Sequence, residues 1–96
     1  MATEPGKTQH IIIRVVTEDF DAWYREHAGH AEARKPYGIT DGPVYRDIAN
    51  PNAALAHLMT DDLSKAMEWF KTPEFREATA RAKVMAREFY VAERRQ

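Results

Sequence analysis

The stretch HIIIRVV, residues 10–16, decides the fold. Its β-branched side chains favour an extended strand. Successive side chains of a strand point to opposite faces, and both faces are apolar here: Ile11, Ile13 and Val15 lie on one, Ile12 and Val16 on the other. A strand that is apolar on both faces is covered on both faces. The stretch therefore predicts the interior of a layered domain.

Helix and strand signals follow in a regular order. Thr17-Glu18-Asp19 provides an N-cap and acidic residues for a first helix, which Pro36-Tyr37-Gly38 ends. The next segments predict a turn at Thr40-Asp41-Gly42-Pro43, a strand over 44–48, a loop at Asn50-Pro51-Asn52 and a strand over 54–59. A second helix begins at Asp61 or Asp62, restarts at Thr72-Pro73-Glu74 and continues to about Met85, before a last strand over 88–93.

The order β-α-β-β-α-β predicts a ferredoxin-like α+β subunit, with a four-stranded antiparallel sheet and both helices on one face. The other face is left bare, although Ile12 and Val16 make it apolar. Because a large exposed apolar sheet does not stay monomeric, we expect a homodimer in which the sheet faces meet.

Length and composition bound the remaining possibilities. A chain of 96 residues makes one domain, predicted over 10–93 between a disordered segment 1–9 and a tail 94–96. A pI near 6.4 argues against nucleic-acid binding, and no apolar run is long enough to predict a membrane span. The absence of cysteine excludes thiol nucleophiles and cysteine-bound metals, and favours the cytoplasm.

Several segments together resemble the dimeric α+β-barrel superfamily, and in particular small bacterial proteins described as antibiotic-biosynthesis-monooxygenase-like or cyclase-like. The segments that carry the resemblance are Phe20-x-x-Trp23-x-x-x-His27, Gly42-Pro43-Val44-Tyr45-Arg46-Asp47, Asn50-Pro51-Asn52, Asp61-Asp62-Leu63-Ser64-Lys65-Ala66 and Thr72-Pro73-Glu74-Phe75-Arg76-Glu77-Ala78. The resemblance implies a homodimer and a ligand cavity between sheet and helices. The characterised members of this superfamily include cofactor-free oxygenases of polycyclic phenols, polyketide cyclases, haem-degrading enzymes and stress-response proteins.

Three side chains are the candidates for catalysis. His57 lies within the apolar third strand, and as a cavity-facing imidazole it could take a proton from a phenol or a ketone; its alternative is a structural histidine bonded across the sheet or the dimer. His27 lies one turn after Trp23, with a half-buried structural role as its alternative. Arg14, in the middle of the first strand, needs a partner, either Asp47 on the second strand or an anionic substrate. His27 and His30 could meet on one helix face, but no third ligand is evident, so we predict no metal.

A set of mostly aromatic side chains is the candidate wall of the substrate site, with ordinary core packing as its alternative. Its members are Trp23, Tyr24, Tyr37, Tyr45, Met59, Phe70 and Phe89. The sequence contains no glycine-rich phosphate-binding loop, which would be the sign of a nucleotide or flavin site. We therefore expect no cofactor.

These observations predict a cytoplasmic homodimer that binds a small hydrophobic aromatic molecule. The first hypothesis is a cofactor-independent monooxygenase or cyclase acting on an aromatic or polyketide-like substrate. The alternative is a non-catalytic ligand-binding or stress-associated dimer, in which the same residues only pack.

Overall fold

The computed structural model describes residues 8–95. Most of the segment predicted to be disordered, residues 1–7, lies outside this part, whereas Gln9 belongs to the first strand. The strands are β1 (Gln9–Thr17), β2 (Ile39–Arg46), β3 (Ala53–Thr60) and β4 (Val84–Glu93). The helices are α1 (Phe20–Gly29), α2 (Ala31–Arg34), α3 (Leu63–Trp69) and α4 (Pro73–Arg81), with a 3-10 turn at Lys35–Tyr37.

The strands form one antiparallel sheet in the order β2-β3-β1-β4. This arrangement confirms the predicted α+β class and the ferredoxin-like order of strands and helices. Within residues 8–95, no helix is long and apolar enough to cross a membrane.

Side-chain caps begin three of the helices at the predicted places. The carboxylate of Asp19 accepts a hydrogen bond from the backbone N–H of Ala22, and that of Asp62 accepts one from Lys65. The hydroxyl of Thr72 accepts one from the N–H of Phe75, two residues after the proline that opens α4. Each cap satisfies a backbone donor that has no partner within its helix.

The predicted start of the second strand is wrong, as are the end of the last helix and the start of the last strand. The second strand begins at Ile39 rather than at Val44, because residues 40–43 do not turn: they continue β2 through a register shift between Asp41 and Val44. The turn comes earlier, at Gly38, whose φ of 71° is readily adopted by glycine.

The last helix ends at Arg81 rather than near Met85, and β4 begins at Val84 rather than at Glu88. Lys83, with φ of 56°, stands between them in the left-handed region. A non-glycine residue ends the helix here, so the usual glycine signal is missing from the sequence.

The two faces of the sheet have different neighbours. Ile11, Ile13 and Val15 are 0%, 5% and 3% exposed and belong to the core beneath the helices. Ile12 and Val16 alternate with them and are only half-buried, on the face opposite that core. The predicted division of β1 into two faces is therefore correct. We call the first the covered face and the second the open face.

Candidate functional site

A cavity of about 60 Å³ lies between the covered face and α1, α3 and α4. Its walls are mainly apolar, with a smaller set of polar side chains. The aromatic members of the lining are Trp23, Trp69, Phe70 and Phe75; the polar members are Glu26, His27, His30, Arg34, Thr79 and Arg87. An apolar pocket with a few convergent polar groups is the usual form of a small-molecule site.

Trp69 is the centre of the aromatic wall. Its side chain, at the end of α3, is only 2% exposed. The ring packs against Tyr37 at 5.7 Å, His30 at 5.9 Å and Phe75 at 6.0 Å between ring centroids. Phe70 meets Phe75 edge-on at 5.1 Å. These edge-on and tilted contacts are favourable arrangements for aromatic rings, and together they form one wall of the cavity.

His27 is a neutral imidazole in this wall. Its ring stacks on Trp23 with centroids 5.1 Å apart. Burial, assisted by the nearby positive charge of Arg34, lowers the pKa of His27 to about 4. The ring is therefore uncharged near neutral pH, and one of its nitrogens carries a lone pair that can accept a hydrogen bond.

His30 has a fixed tautomer. Its Nδ1 lies 2.6 Å from the backbone oxygen of Glu26, and because a carbonyl only accepts, Nδ1 is the protonated nitrogen. In the neutral ring this leaves the lone pair on Nε2, which lies 3.8 Å from a carboxylate oxygen of Glu74. Nε2 is therefore the nitrogen of His30 that can accept a hydrogen bond from a ligand.

Arg34, the last residue of α2, connects the helices to the sheet. Only 3% of this residue is exposed, and its guanidinium donates two hydrogen bonds to Asp41, at 2.8 and 2.7 Å. A third donor reaches the backbone oxygen of His27 at 2.7 Å. The two-pronged ion pair thus joins α2 to β2 and also holds the backbone that carries His27.

Glu26 has its own partner, since Arg81 of α4 lies 2.9 Å from its carboxylate. The hydrogen bond from Arg81 lowers the pKa of Glu26. The residues described here contain no group of three or more histidine, cysteine, aspartate or glutamate side chains that could hold a metal ion.

The structure places part of the predicted site at this cavity. Trp23, His27 and Phe70 line it. Phe89 lies beside it, edge-on to Phe70 at 5.0 Å, and Tyr37 stands behind Trp69.

The other predicted residues lie elsewhere. Tyr24 is on the exposed side of α1, stacked on Phe20 at 6.1 Å. The strand register places His57 opposite Ile12, so His57 lies on the open face, as do Arg14, Tyr45 and Met59. The Nε2 of His57 is 2.7 Å from Nδ1 of His10, and Arg14 is 3.7 Å from the carboxylate of Asp47. These side chains do not line the cavity.

Most of the lining was not predicted as part of the substrate or catalytic site. Its unpredicted aromatic and basic members are His30 (considered only as a metal ligand), Arg34, Trp69, Phe75 and Arg87. Trp69 and Phe75 lie on either side of the break between α3 and α4, so a single helical periodicity does not connect them. Arg87 belongs to the part of β4 that was not predicted as strand. A correct end for α4 would have put Arg87 on the same strand face as Phe89.

Comparisons with known proteins agree with this architecture. SnoaB from Streptomyces nogalater, a cofactor-independent oxygenase, superposes with a TM-score of 0.76 and 13% identity over 95% of this chain and 96% of that one. A candidate antibiotic biosynthesis monooxygenase from Nitrosomonas europaea superposes with a TM-score of 0.74 and 9% identity, over 94% of this chain and 92% of that one. Another from Chloroflexus aurantiacus superposes with a TM-score of 0.70 and 17% identity, over 91% of this chain and 92% of that one.

No protein-family model and no curated protein matches the sequence. Identities of this size show a shared fold and leave the chemistry to be argued from the residues. At the level of the fold, the resemblance inferred from the sequence is confirmed: this chain has the fold of the antibiotic-biosynthesis-monooxygenase-like proteins.

Proposed function

We propose that this protein is a cofactor-independent oxygenase that acts, as a homodimer, on an aromatic substrate with an ionisable hydroxyl or ketone. The observation that carries the proposal is one aromatic cavity containing two imidazoles of different character. His27 is neutral near pH 7, and His30 has its lone pair on Nε2. Aromatic walls can hold a flat ring, and the imidazoles can receive its proton.

We assign the proton transfer to His30, because its Nδ1 is bonded to a backbone oxygen and its Nε2 lies 3.8 Å from a carboxylate oxygen of Glu74. A general base works best when its pKa is near the working pH, and a pKa of about 4 makes His27 weak in this role. In the proposed reaction Nε2 of His30 takes a proton from the substrate, and Glu74 stabilises the resulting imidazolium. His27 accepts a hydrogen bond from a substrate hydroxyl and orients the ring.

The substrate anion then supplies the electrons for dioxygen. For an anthrone-type substrate the balanced change converts one methylene group and one dioxygen molecule into one carbonyl group and one water molecule. The anion reduces oxygen and the two combine through a new C–O bond. The resulting hydroperoxide then loses water as its O–O bond breaks. The substrate is oxidised, both oxygen atoms are accounted for, and the proton held by His30 returns in the water.

The cavity must enlarge to admit such a ring. Its volume is about 60 Å³, whereas a cavity of about 150 Å³ is known to accept benzene. Thr79 of α4 and Arg87 of β4, which are hydrogen-bonded at 3.0 Å, lie at one side of the lining. Arg87 is exposed, so a ligand can enter on this side, next to the guanidinium, while the core stays intact.

The dimer is proposed from the open face. Tyr45 and Tyr90 are 57% and 51% exposed there, next to the half-buried Ile12, Leu55 and Met59. These apolar side chains, interspersed with Arg14 and His57, form a candidate interface on an uncovered sheet face. Light scattering should give twice 11.1 kDa at micromolar concentration; a monomeric mass would contradict this part of the proposal. The cytoplasmic location stays a prediction.

Oxygen uptake tests the chemistry. Purified, metal-free protein would be supplied with anthrones, hydroquinones and polyphenols, with oxygen followed at an electrode and products identified under air and under nitrogen. His30→Gln should lower the rate about 10²–10⁴-fold, the range for loss of a general base. His57→Gln, a histidine change on the open face, is the matched control and should leave the rate within a few fold. Equal loss in both variants would contradict the assignment to His30.

The non-catalytic alternative uses the same cavity. It is favoured by the pKa of His27, which suits a hydrogen-bond acceptor better than a base. It predicts that aromatic compounds bind, and that His27→Gln weakens their binding, without any oxygen uptake. A cyclase would convert its substrate equally well under nitrogen.

A further inference from the structure

The charges around the cavity balance at every position except one. Arg34 is paired with Asp41, and Glu26 is paired with Arg81. The remaining charged residue of the lining is Arg87. No carboxylate among residues 8–95 pairs with it: the contacts described for its guanidinium are one hydroxyl and two aromatic rings.

The guanidinium of Arg87 is held in a defined place. Its Nη1 donates a hydrogen bond of 3.0 Å to the hydroxyl of Thr79. Its carbon Cζ lies 4.8 Å from the ring centre of Phe75 and 5.4 Å from that of Phe89. Arginine over an aromatic ring is a stable cation–π arrangement, so the charge is positioned before any ligand arrives.

The same neighbours partly shield the guanidinium from water, although the residue as a whole is exposed. Burial lowers the pKa of Arg87, and no neighbouring charge contributes to this shift. An ion pair would compensate for that loss of hydration, yet the described residues offer none. Thr79 uses one of the five N–H donors of the guanidinium, so others remain available to a ligand.

We propose that the substrate of this cavity is an aromatic carboxylic acid, whose carboxylate binds Arg87 while its ring packs between Phe75 and the other aromatic side chains of the lining. The inference rests on the proposed function and narrows its substrate class. The fork of N–H donors in arginine matches the two oxygens of a carboxylate. The anionic group stays at the mouth, and the ring lies towards His27 and His30.

Binding of two matched compounds tests the inference. The probes are 2,5-dihydroxybenzoate and 2,5-dihydroxybenzamide, which share the hydroquinone ring and differ in charge. Calorimetry on the full chain, in low salt at neutral pH, should show the acid binding about 10–100-fold more tightly than the amide, as expected for a charge-assisted hydrogen bond. Raising the salt concentration should weaken binding of the acid alone.

Variants then locate the effect. Arg87→Gln should abolish the preference for the acid, and Arg87→Lys should restore part of it. Arg25→Gln, which removes an exposed arginine of α1, should keep the full preference. A preference that survives in Arg87→Gln would overturn the inference, as would equal binding of acid and amide by the unchanged protein.

The outcomes separate this inference from the proposed function. Equal binding of both probes leaves the aromatic site in place and removes only the carboxylate subsite. Binding of neither probe at millimolar concentration overturns both. In a third outcome the acid binds preferentially, the preference is lost in Arg87→Gln, and no substrate gives oxygen uptake. This result would support the carboxylate subsite and contradict the proposed oxygenase activity.

Discussion

Each face of the sheet has a pair of histidines beside it, one pair on the helical segment over the covered face and one on the strands of the open face, and the pairs differ in what surrounds them. On the covered face, His27 and His30 line a cavity, with Trp23 and Trp69 as their ring neighbours. On the open face, His10 and His57 hydrogen-bond each other through ring nitrogens 2.7 Å apart. The first pair has ring nitrogens available to a ligand, and the second pair uses one on each ring for the other histidine.

This difference shows why histidine alone does not identify an active site. One of the two rings on the open face donates and the other accepts, so both have a partner without any substrate. Burial, together with His10, lowers the pKa of His57, because charging both rings would place like charges in contact. On this reasoning the covered face holds the subunit core and the proposed substrate site, while the proposed dimer interface lies on the open face.

Two leucines of β3 test this division most directly. Leu58 is 1% exposed on the covered face, whereas Leu55 is half-buried on the open face. Leu58→Ala should lower the free energy of unfolding by about 2–5 kcal/mol, the usual range for a leucine truncated in a core. Leu55→Ala should cost less in the subunit and instead raise the dissociation constant of the dimer. Urea denaturation and analytical ultracentrifugation measure the two effects separately.

The comparison would fail if the two substitutions had the same pattern of effects. A large loss of subunit stability in Leu55→Ala, with the dimer unchanged, would mean that the open face is part of the subunit core. A dimer weakened only by Leu58→Ala would place the interface on the helical side.

The pH dependence of stability provides the next test. The folded state lowers the pKa of His27 from 6.5 to about 4, mainly by burial. Between these two values the unfolded chain binds a proton that the folded chain does not, so stability is lost as pH falls from about 6.5 to about 4. The full loss from this one group is at most about 3 kcal/mol.

A variant without the ionisable ring isolates this contribution. The free energy of unfolding would be measured at pH 7.0 and pH 4.5 for the unchanged protein and for His27→Gln. The carboxylates titrate in both proteins over this interval, so the difference between the two proteins isolates the contribution of the imidazole. The unchanged protein should lose more stability than the variant over this interval. His57→Gln, on the less buried histidine, should change the slope less. Identical slopes for the unchanged protein and His27→Gln would show that His27 is solvated.

The order of strands and helices and the two faces of β1 could be predicted, because they depend on local periodicity and capping. Ile11, Ile13 and Val15 are entirely apolar, whereas the alternate positions include Arg14, and that contrast does identify the covered face. In β3 the alternation of side chains between the two faces did not predict which face the helices cover. Ala54 and Ala56 are buried there, and their small side chains let the helices pack closely.

The cavity itself could not be predicted, because it depends on distant segments. Thr79 of α4 meets Arg87 of β4 only because the chain reverses at Lys83, a residue with no turn signal. His30 becomes a defined acceptor through a bond to a backbone oxygen, which leaves no pattern in side-chain identity. His57 was a candidate for the cavity because it lies between the apolar Leu55 and Met59, with a structural histidine bonded across the sheet or the dimer as its alternative. The structure shows it hydrogen-bonded to His10 of the neighbouring strand.

Gly42 offers the finest test, because it lies at the bulge of β2, against His57 of the neighbouring strand. A Cβ at this position would lie 2.9 Å from the backbone oxygen of His57 and 3.0 Å from its Nδ1. Gly42→Ala should therefore displace His57, weaken its bond to His10, and cost about 1–3 kcal/mol, as overpacking does. Gly29→Ala is the matched control, since its Cβ would meet nothing within 4 Å at the end of α1, and it should be neutral or slightly stabilising. Adding His57→Ala to Gly42→Ala should recover only part of the lost stability, because the nearest contact is with the backbone oxygen of residue 57 and not with the ring. Full recovery would mean that the imidazole alone, and not the close approach of the two strands, requires glycine at this position.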